Sequence, residues 1–126
     1  MTPRAVVERY LRAFESGDPG AFDDCVADDV VALAPDGTVA ISGREEWKRA
    51  IASEPFRDER IAVDDLLVDG DKVCVRYTLT CTHDSGREIR TTGTKIYTVQ
   101  DGKVAVIAGH DDVLGVLRQL GVKEIS

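Results

Sequence analysis

The sequence predicts an α+β fold in which helices cover one face of a curved antiparallel sheet. Three observations carry that reading: helix-periodic segments dominate the first half, four long alternating segments joined by tight turns fill the second, and a leucine-rich helix closes the chain. At 126 residues the chain is expected to form one domain, 1–126, with a single hydrophobic core.

The first helix is PRAVVERYLRAFES, residues 3–16. It places Val7, Tyr10, Leu11 and Phe14 on one stripe, pairs Glu8 with Arg12 on the wet side, and stops at Gly17. A second short helix is expected over AFDDCVA, 21–27, burying Ala21, Phe22, Cys25 and Val26. Two short strands follow, VVALA at 30–34 and TVAIS at 38–42, joined across Pro35-Asp36-Gly37. The third helix, GREEWKRAIAS, turns Trp47, Ala50 and Ile51 inward.

Beyond Pro55 the period changes to that of strands, expected at 59–68, 72–83, 87–99 and 103–110. Asp69-Gly70, Asp101-Gly102 and the HDSGR segment around Gly86 mark consecutive hairpins. In the second of these strands Val73, Val75, Tyr77, Leu79, Cys81 and His83 share the core face; Arg76, Thr78, Thr80 and Thr82 take the other. The last helix, 113–120, carries Val113, Leu114, Val116, Leu117 and Leu120, and Gly121 suits its C-terminal stop.

Composition narrows the partners. With 23 acidic against 16 basic residues, the net charge of −7 repels phosphate backbones, and no basic cluster offsets it, so nucleic acid is not an expected partner. The apolar runs fall short of the roughly 18 residues a membrane span requires. MTPRAVVERY is charged too early for a secretory leader, so a soluble, cytoplasmic protein away from membranes is expected. Cys25, Cys74 and Cys81 lack metal-binding spacing. Cys74 and Cys81 lie on one strand about 23 Å apart, too far to bond, and free, buried thiols are expected.

The segments VVERYLRAFESGD, VADDVV, SGREEWKRAI, VDGDKVCVRYTLTCTH and DVLGVLRQLG, in this order, resemble the SnoaL-like family. These are polyketide cyclase-like proteins sharing the cone-shaped fold of nuclear transport factor two and ketosteroid isomerase. The resemblance covers almost the whole chain; its most specific piece is the D-x-L-G-x-L-x-Q-L-G terminus. It implies a curved sheet wrapped over three to four helices, a deep internal pocket, a hydrophobic oxygenated ligand, and a homodimer through the open sheet face. It also implies chemistry without metal or cofactor, because the substrate's own carbonyls hold the developing charge.

On this resemblance Asp112 occupies the position of the acid/base carboxylate of the cyclases. An apolar pocket can raise an aspartate several units above its usual pKa of about 3.9, enough to deprotonate an activated methylene. The competing role for Asp112, or for Asp111, is N-cap of the last helix. Alternation turns Asp111 away and brings His110 to the side of Val106, Ala108 and Asp112, where it would assist the proton transfer or remain at the rim in solvent.

Tyr10 matches the tyrosine with which ketosteroid isomerases stabilise a dienolate oxygen, and equally suits a core aromatic. The two aspartates of those enzymes correspond here to Ala34 and Lys95, so isomerisation by their mechanism is not expected. Ala108 stands where many relatives carry tryptophan, which would enlarge the pocket unless Trp47 refills it. Phe14, Trp47, Tyr77, His83, Tyr97 and Ala108 are the expected substrate contacts. Arginine-bridged epoxide hydrolysis is the weaker alternative, because Arg76 lies on the outer face and Arg90 has no evident acidic partner. No serine or cysteine sits in a nucleophile elbow. The expected activity is an intramolecular aldol-type cyclisation of a polyketide-like molecule; a related isomerase or hydrolase, or a non-catalytic binding protein, are the alternatives.

Overall fold

The computed structural model describes residues 1–122. Helix α1 (Pro3–Ser16) starts at Thr2, whose hydroxyl accepts from the Ala5 amide at 3.1 Å, and ends at Gly17 with φ 70°. Its buried side is Val6, Val7, Tyr10, Leu11 and Ala13. The second helix expected from the sequence is instead a 3-10 turn, Pro19–Asp24, begun by Asp18, and Val26 already belongs to a strand. The Cys25 carbonyl accepts from the Val104 amide at 2.8 Å, so tertiary pairing claims the residues that helical periodicity assigned to a helix.

Strands β1 (Val26–Leu33) and β2 (Val39–Ser42) form a short hairpin, and α2 (Arg44–Ala52) follows. Arg44 draws α2 against β1 through Asp28, at 2.6 Å, and the Val26 carbonyl, at 3.1 Å. That seats Trp47 in the core at 8% exposure. Strands β3 (Phe56–Asp69), β4 (Lys72–His83), β5 (Glu88–Gln100) and β6 (Lys103–Asp111) then build the meander that the turn signals predict.

The six strands form one sheet in the order β2-β1-β6-β5-β4-β3. All neighbours are antiparallel except β1 and β6, which run parallel, a departure from the wholly antiparallel expectation. The long path between these two strands leaves their relative direction free, whereas each hairpin dictates its own. Register breaks between Arg57 and Arg60, and between Val63 and Asp65, bend β3. The helices pack on the concave side, where Val6, Val7, Phe22, Val73, Val75 and Val104 are fully buried; the other side exposes Leu67 and Ile96.

A bulge in β6 overturns the alternation expected for its end. Thr98 pairs with Val106 but Val99 with Val104, leaving Ala105 as the extra residue. Val104 and Ile107, three apart, therefore both join the core. Beyond the bulge, Ile107, Gly109 and Asp111 face inward, while Ala108, His110 and Asp112 do not.

Helix α3 (Val113–Gln119) begins at Asp112, whose Oδ1 accepts from the Gly115 amide at 2.9 Å. A Cβ at Gly115 would overlap that carboxylate. At the other end Gln119 is clamped to β5: its Oε1 accepts from the Arg90 amide and its Nε2 donates to the Arg90 carbonyl, both at 2.8 Å. Strand β6 ends opposite Gly93, so the Gln119 amide takes the place of a strand partner along the first half of β5. The terminal D-x-x-G…Q pattern is thus a device for laying α3 across the sheet. All three cysteines are free, with Cys25 and Cys81 buried. Among the described residues no helix is long and apolar enough to cross a membrane.

Candidate active site

Between the concave sheet and the three helices lies a cavity of about 590 Å³, within the range of small-molecule pockets. Its walls are chiefly apolar. Tyr10, Leu11 and Phe14 come from α1, Trp47 and Ile51 from α2, Val116 and Leu117 from α3, and Tyr97 and Ile107 from the sheet. Tyr10 anchors the aromatic end, with ring centroids 5.2 Å from Tyr97, 5.7 Å from Phe22 and 6.3 Å from Trp47. Burial, then the neighbouring Tyr97, raises the Tyr10 hydroxyl well above its ordinary pKa, so it is neutral and a possible donor to a ligand oxygen.

One wall carries a polar cluster. Tyr77, Gly93 and Asp111 occupy one row across β4, β5 and β6. The Tyr77 hydroxyl passes over Gly93 to donate a hydrogen bond to Asp111 Oδ1. A Cβ on Gly93 would overlap that hydroxyl, so glycine is what allows the two side chains to meet. Lys95 Nζ donates to Asp111 Oδ2 at 3.0 Å, with 24% of the lysine side chain and 49% of the aspartate side chain exposed. Partial burial pushes the Asp111 carboxyl up, but the Tyr77 hydrogen bond and the Lys95 charge outweigh it and hold the carboxyl below the usual range. Burial and the bond to Asp111 together raise the Tyr77 hydroxyl. The resting cluster is a neutral tyrosine, a carboxylate and an ammonium.

The opposite flank holds two carboxyl groups, Glu54 just after α2 and Glu59 on β3. Burial and then the charge of Glu54 push Glu59 up to about 7. Burial, followed by Asp111 and against the opposing pull of Lys95, raises Glu54. Two further lining residues offer buried polar atoms without a hydrogen-bond partner, Trp47 Nε1 and Thr91 Oγ1. Among the described residues no group of three or more His, Cys, Asp or Glu is placed to hold a metal ion.

Of the residues singled out from sequence, Tyr10, Phe14, Trp47, Tyr77 and Tyr97 are brought together on the cavity wall. Asp112 is not: it is exposed and caps α3. His110 is exposed opposite Thr94, and Ala108 pairs with Ile96 on the far side of β6, so its small side chain does not widen the cavity. His83 sits at the β4–β5 hairpin, its ring 5.4 Å from Phe56 and its Nδ1 2.8 Å from Ser85 Oγ. Asp111, Lys95, Glu54, Glu59 and Thr91 are the lining residues that sequence reasoning passed over as site residues. Lys95 had a legible signal, since it shares strand parity with Thr91, Gly93 and Tyr97 on the inward face of β5.

Comparison with known proteins matches residues 7–107 to the SnoaL-like domain. No curated protein matches the sequence. Among solved structures, TsrD from Streptomyces laurentii is similar at TM-score 0.81 and 29% identity, over 95% of each chain. IdmH from Streptomyces antibioticus, a candidate polyketide cyclase, gives TM-score 0.80 and 26% identity over 97% of this chain and 100% of that one. An LEH-like epoxide hydrolase from M. tuberculosis shares the fold, at TM-score 0.76 and 19% identity over 92% and 86% of the two chains.

Proposed function

The chain belongs to the SnoaL-like domain family, and on that premise we propose that it is a cofactor-independent cyclase. Its substrate is a hydrophobic, oxygenated, polyketide-like molecule, and its reaction an intramolecular aldol-type ring closure. The observation that carries this reading is the Tyr77–Asp111–Lys95 cluster set in the wall of a chiefly apolar cavity. The likeness to IdmH adds support.

In such a closure a methylene flanked by carbonyls loses a proton, the charge collects on a carbonyl oxygen, and the carbon attacks a second carbonyl. An ammonium fixed in a partly dry wall stabilises that oxygen far more than it would in water. Lys95 meets the requirement: Asp111 holds it oriented, and one hydrogen bond leaves it further N–H groups for a substrate oxygen. Tyr77 fixes the second carboxylate oxygen, so Asp111 serves as a positioning residue for the ammonium. The apolar walls exclude water and fold the flexible chain toward its reacting geometry.

Epoxide hydrolysis has less support. Arg76 is engaged with Asp65 at 2.6 Å on the outer face, and among the described residues no arginine lines the cavity.

The test is a panel of linear 1,3-dicarbonyl compounds bearing a ketone or aldehyde placed to close a six-membered ring, followed by chromatography and mass detection. At least one member is expected to cyclise faster with protein than in buffer. Lys95→Gln is expected to lose about 10²–10³-fold of that rate, the usual cost of removing one oxyanion donor, at an unchanged unfolding temperature. No accelerated member, or a fully active Lys95→Gln, overturns the reading.

A further inference from the structure

Lys95 and Asp111 account for the oxygen side of a ring closure and leave the carbon-bound proton without an acceptor, because Asp111 is engaged by two donors. Glu59 stands on the other flank of the same cavity. Its position is built by the chain around it. Asp58 adopts φ 55°, the register breaks between Arg57 and Arg60, and the Ile61 amide is taken by the Glu15 carboxylate of α1 at 2.8 Å. The break sets Glu59 abreast of Cys81 on β4, four residues from Tyr77, or about 13 Å along the strand. Lys95 is carried by β5, two strands from β3 and abreast of Val75, and its Nζ reaches back to Asp111 in the row of Tyr77, so a substrate that meets both groups spans much of the cavity.

Among the described residues no hydrogen bond or ion pair engages the Glu59 carboxyl. Arg57, its near cation, is paired with Asp58 and Asp84, and Arg60 is exposed. The groups that face it are Glu54, beyond the end of α2, and the Cys81 thiol. Neither neutralises a carboxylate.

We propose that Glu59 is the proton-transfer residue of this cavity, the catalytic base that takes the proton from the substrate's activated carbon while Lys95 receives the charge on oxygen. The inference rests on the cavity being a site of carbonyl chemistry. As the substrate C–H bond breaks, the proton passes to the Glu59 carboxylate and the electron pair forms the enolate. After carbon–carbon bond formation the protonated Glu59 returns its proton to the new alkoxide, and the carboxylate is regenerated. A carboxyl that titrates near neutrality suits both halves of that cycle.

Nitrobenzisoxazole tests the base alone. Its ring C–H is removed by a carboxylate in an apolar site, the electron pair forms the nitrile, the N–O bond breaks, and a coloured cyanonitrophenolate leaves. The wild-type protein is expected to exceed free acetate, at equal carboxylate concentration and pH, by roughly 10²-fold, with a rate rising through an apparent pKa near 7. Glu59→Gln loses at least about tenfold with an unfolding temperature no lower than that of wild type, and Glu59→Asp, which keeps a retracted carboxylate, retains part of the rate and its pH dependence. A wild-type rate no faster than acetate, or a Glu59→Gln rate equal to wild type, overturns the assignment. The probe has no carbonyl for Lys95 to polarise. Ring closure with a silent probe therefore removes Glu59 alone, and probe turnover without ring closure removes the cyclase reading alone.

Discussion

Asp111 and Glu59 stand on opposite flanks of one cavity, yet Lys95 and Tyr77 hold the first ionised, while the second, with no cation beside it, is pushed toward neutrality. The difference lies in the neighbours. Two inward strands supply Asp111 with a hydrogen-bond donor and an ammonium; a bulged edge strand supplies Glu59 with apolar surface and another acid. The same functional group is thereby divided between positioning a cation and exchanging a proton.

The sharpest way to break the contrast is to remove the gap that lets Tyr77 reach Asp111. In Gly93→Ala the new methyl meets the Tyr77 hydroxyl and lies 2.9 Å from the His110 carbonyl, so side chain and strand must shift. A loss of about 1–3 kcal/mol in stability is expected, with ring closure down by up to about 10²-fold as Lys95 and Asp111 lose their alignment. Adding Tyr77→Phe should restore part of the stability and none of the activity, as read by denaturant unfolding and by turnover. Equal stability of Gly93→Ala and wild type would show that the row tolerates a side chain.

A smaller effect separates the two carboxyls by pH. Glu59 is raised from 4.5 to about 7, so the folded state binds its proton more tightly than the unfolded chain; its stabilising contribution is complete below 4.5 and is lost as pH rises through about 7. Asp111 is lowered from 3.8, so its contribution is present above 3.8 and is lost as pH falls through its depressed value. Unfolding temperatures from about pH 3 to pH 8 should show Glu59→Gln flattening the neutral side of the profile and Asp111→Asn the acid side. Interchanged effects would contradict the assignment of the two environments.

Most of the fold was legible because its signals are local. The Asp-Gly turns fixed two of the hairpins, and the alternation of Val73, Val75, Tyr77, Leu79 and Cys81 fixed the inner face of β4. The aromatic wall followed for the same reason, since Tyr10, Phe14, Trp47 and Tyr97 sit on periodic core stripes. What escaped depended on a bulge. The extra residue at Ala105 exchanges the faces of everything after it, so it carried Asp111 inward and left His110 and Ala108 outside. Nothing in AVIAGHDD marks that event. Glu59 escaped likewise, because its direction is set by the break between Arg57 and Arg60. Lys95 was readable from parity, but the comparison with isomerases treated it as a missing acid.

The account turns on which of two adjacent aspartates serves the chemistry, and a side-by-side comparison of Asp111→Asn and Asp112→Asn on a cyclising substrate decides it. Asparagine caps a helix about as well as aspartate, so Asp112→Asn should keep α3, its unfolding temperature and its turnover within about twofold of wild type. Asp111→Asn removes the counter-ion of Lys95 and should lose at least about tenfold in turnover while remaining folded. Full activity in Asp111→Asn together with a large loss in Asp112→Asn would contradict the account.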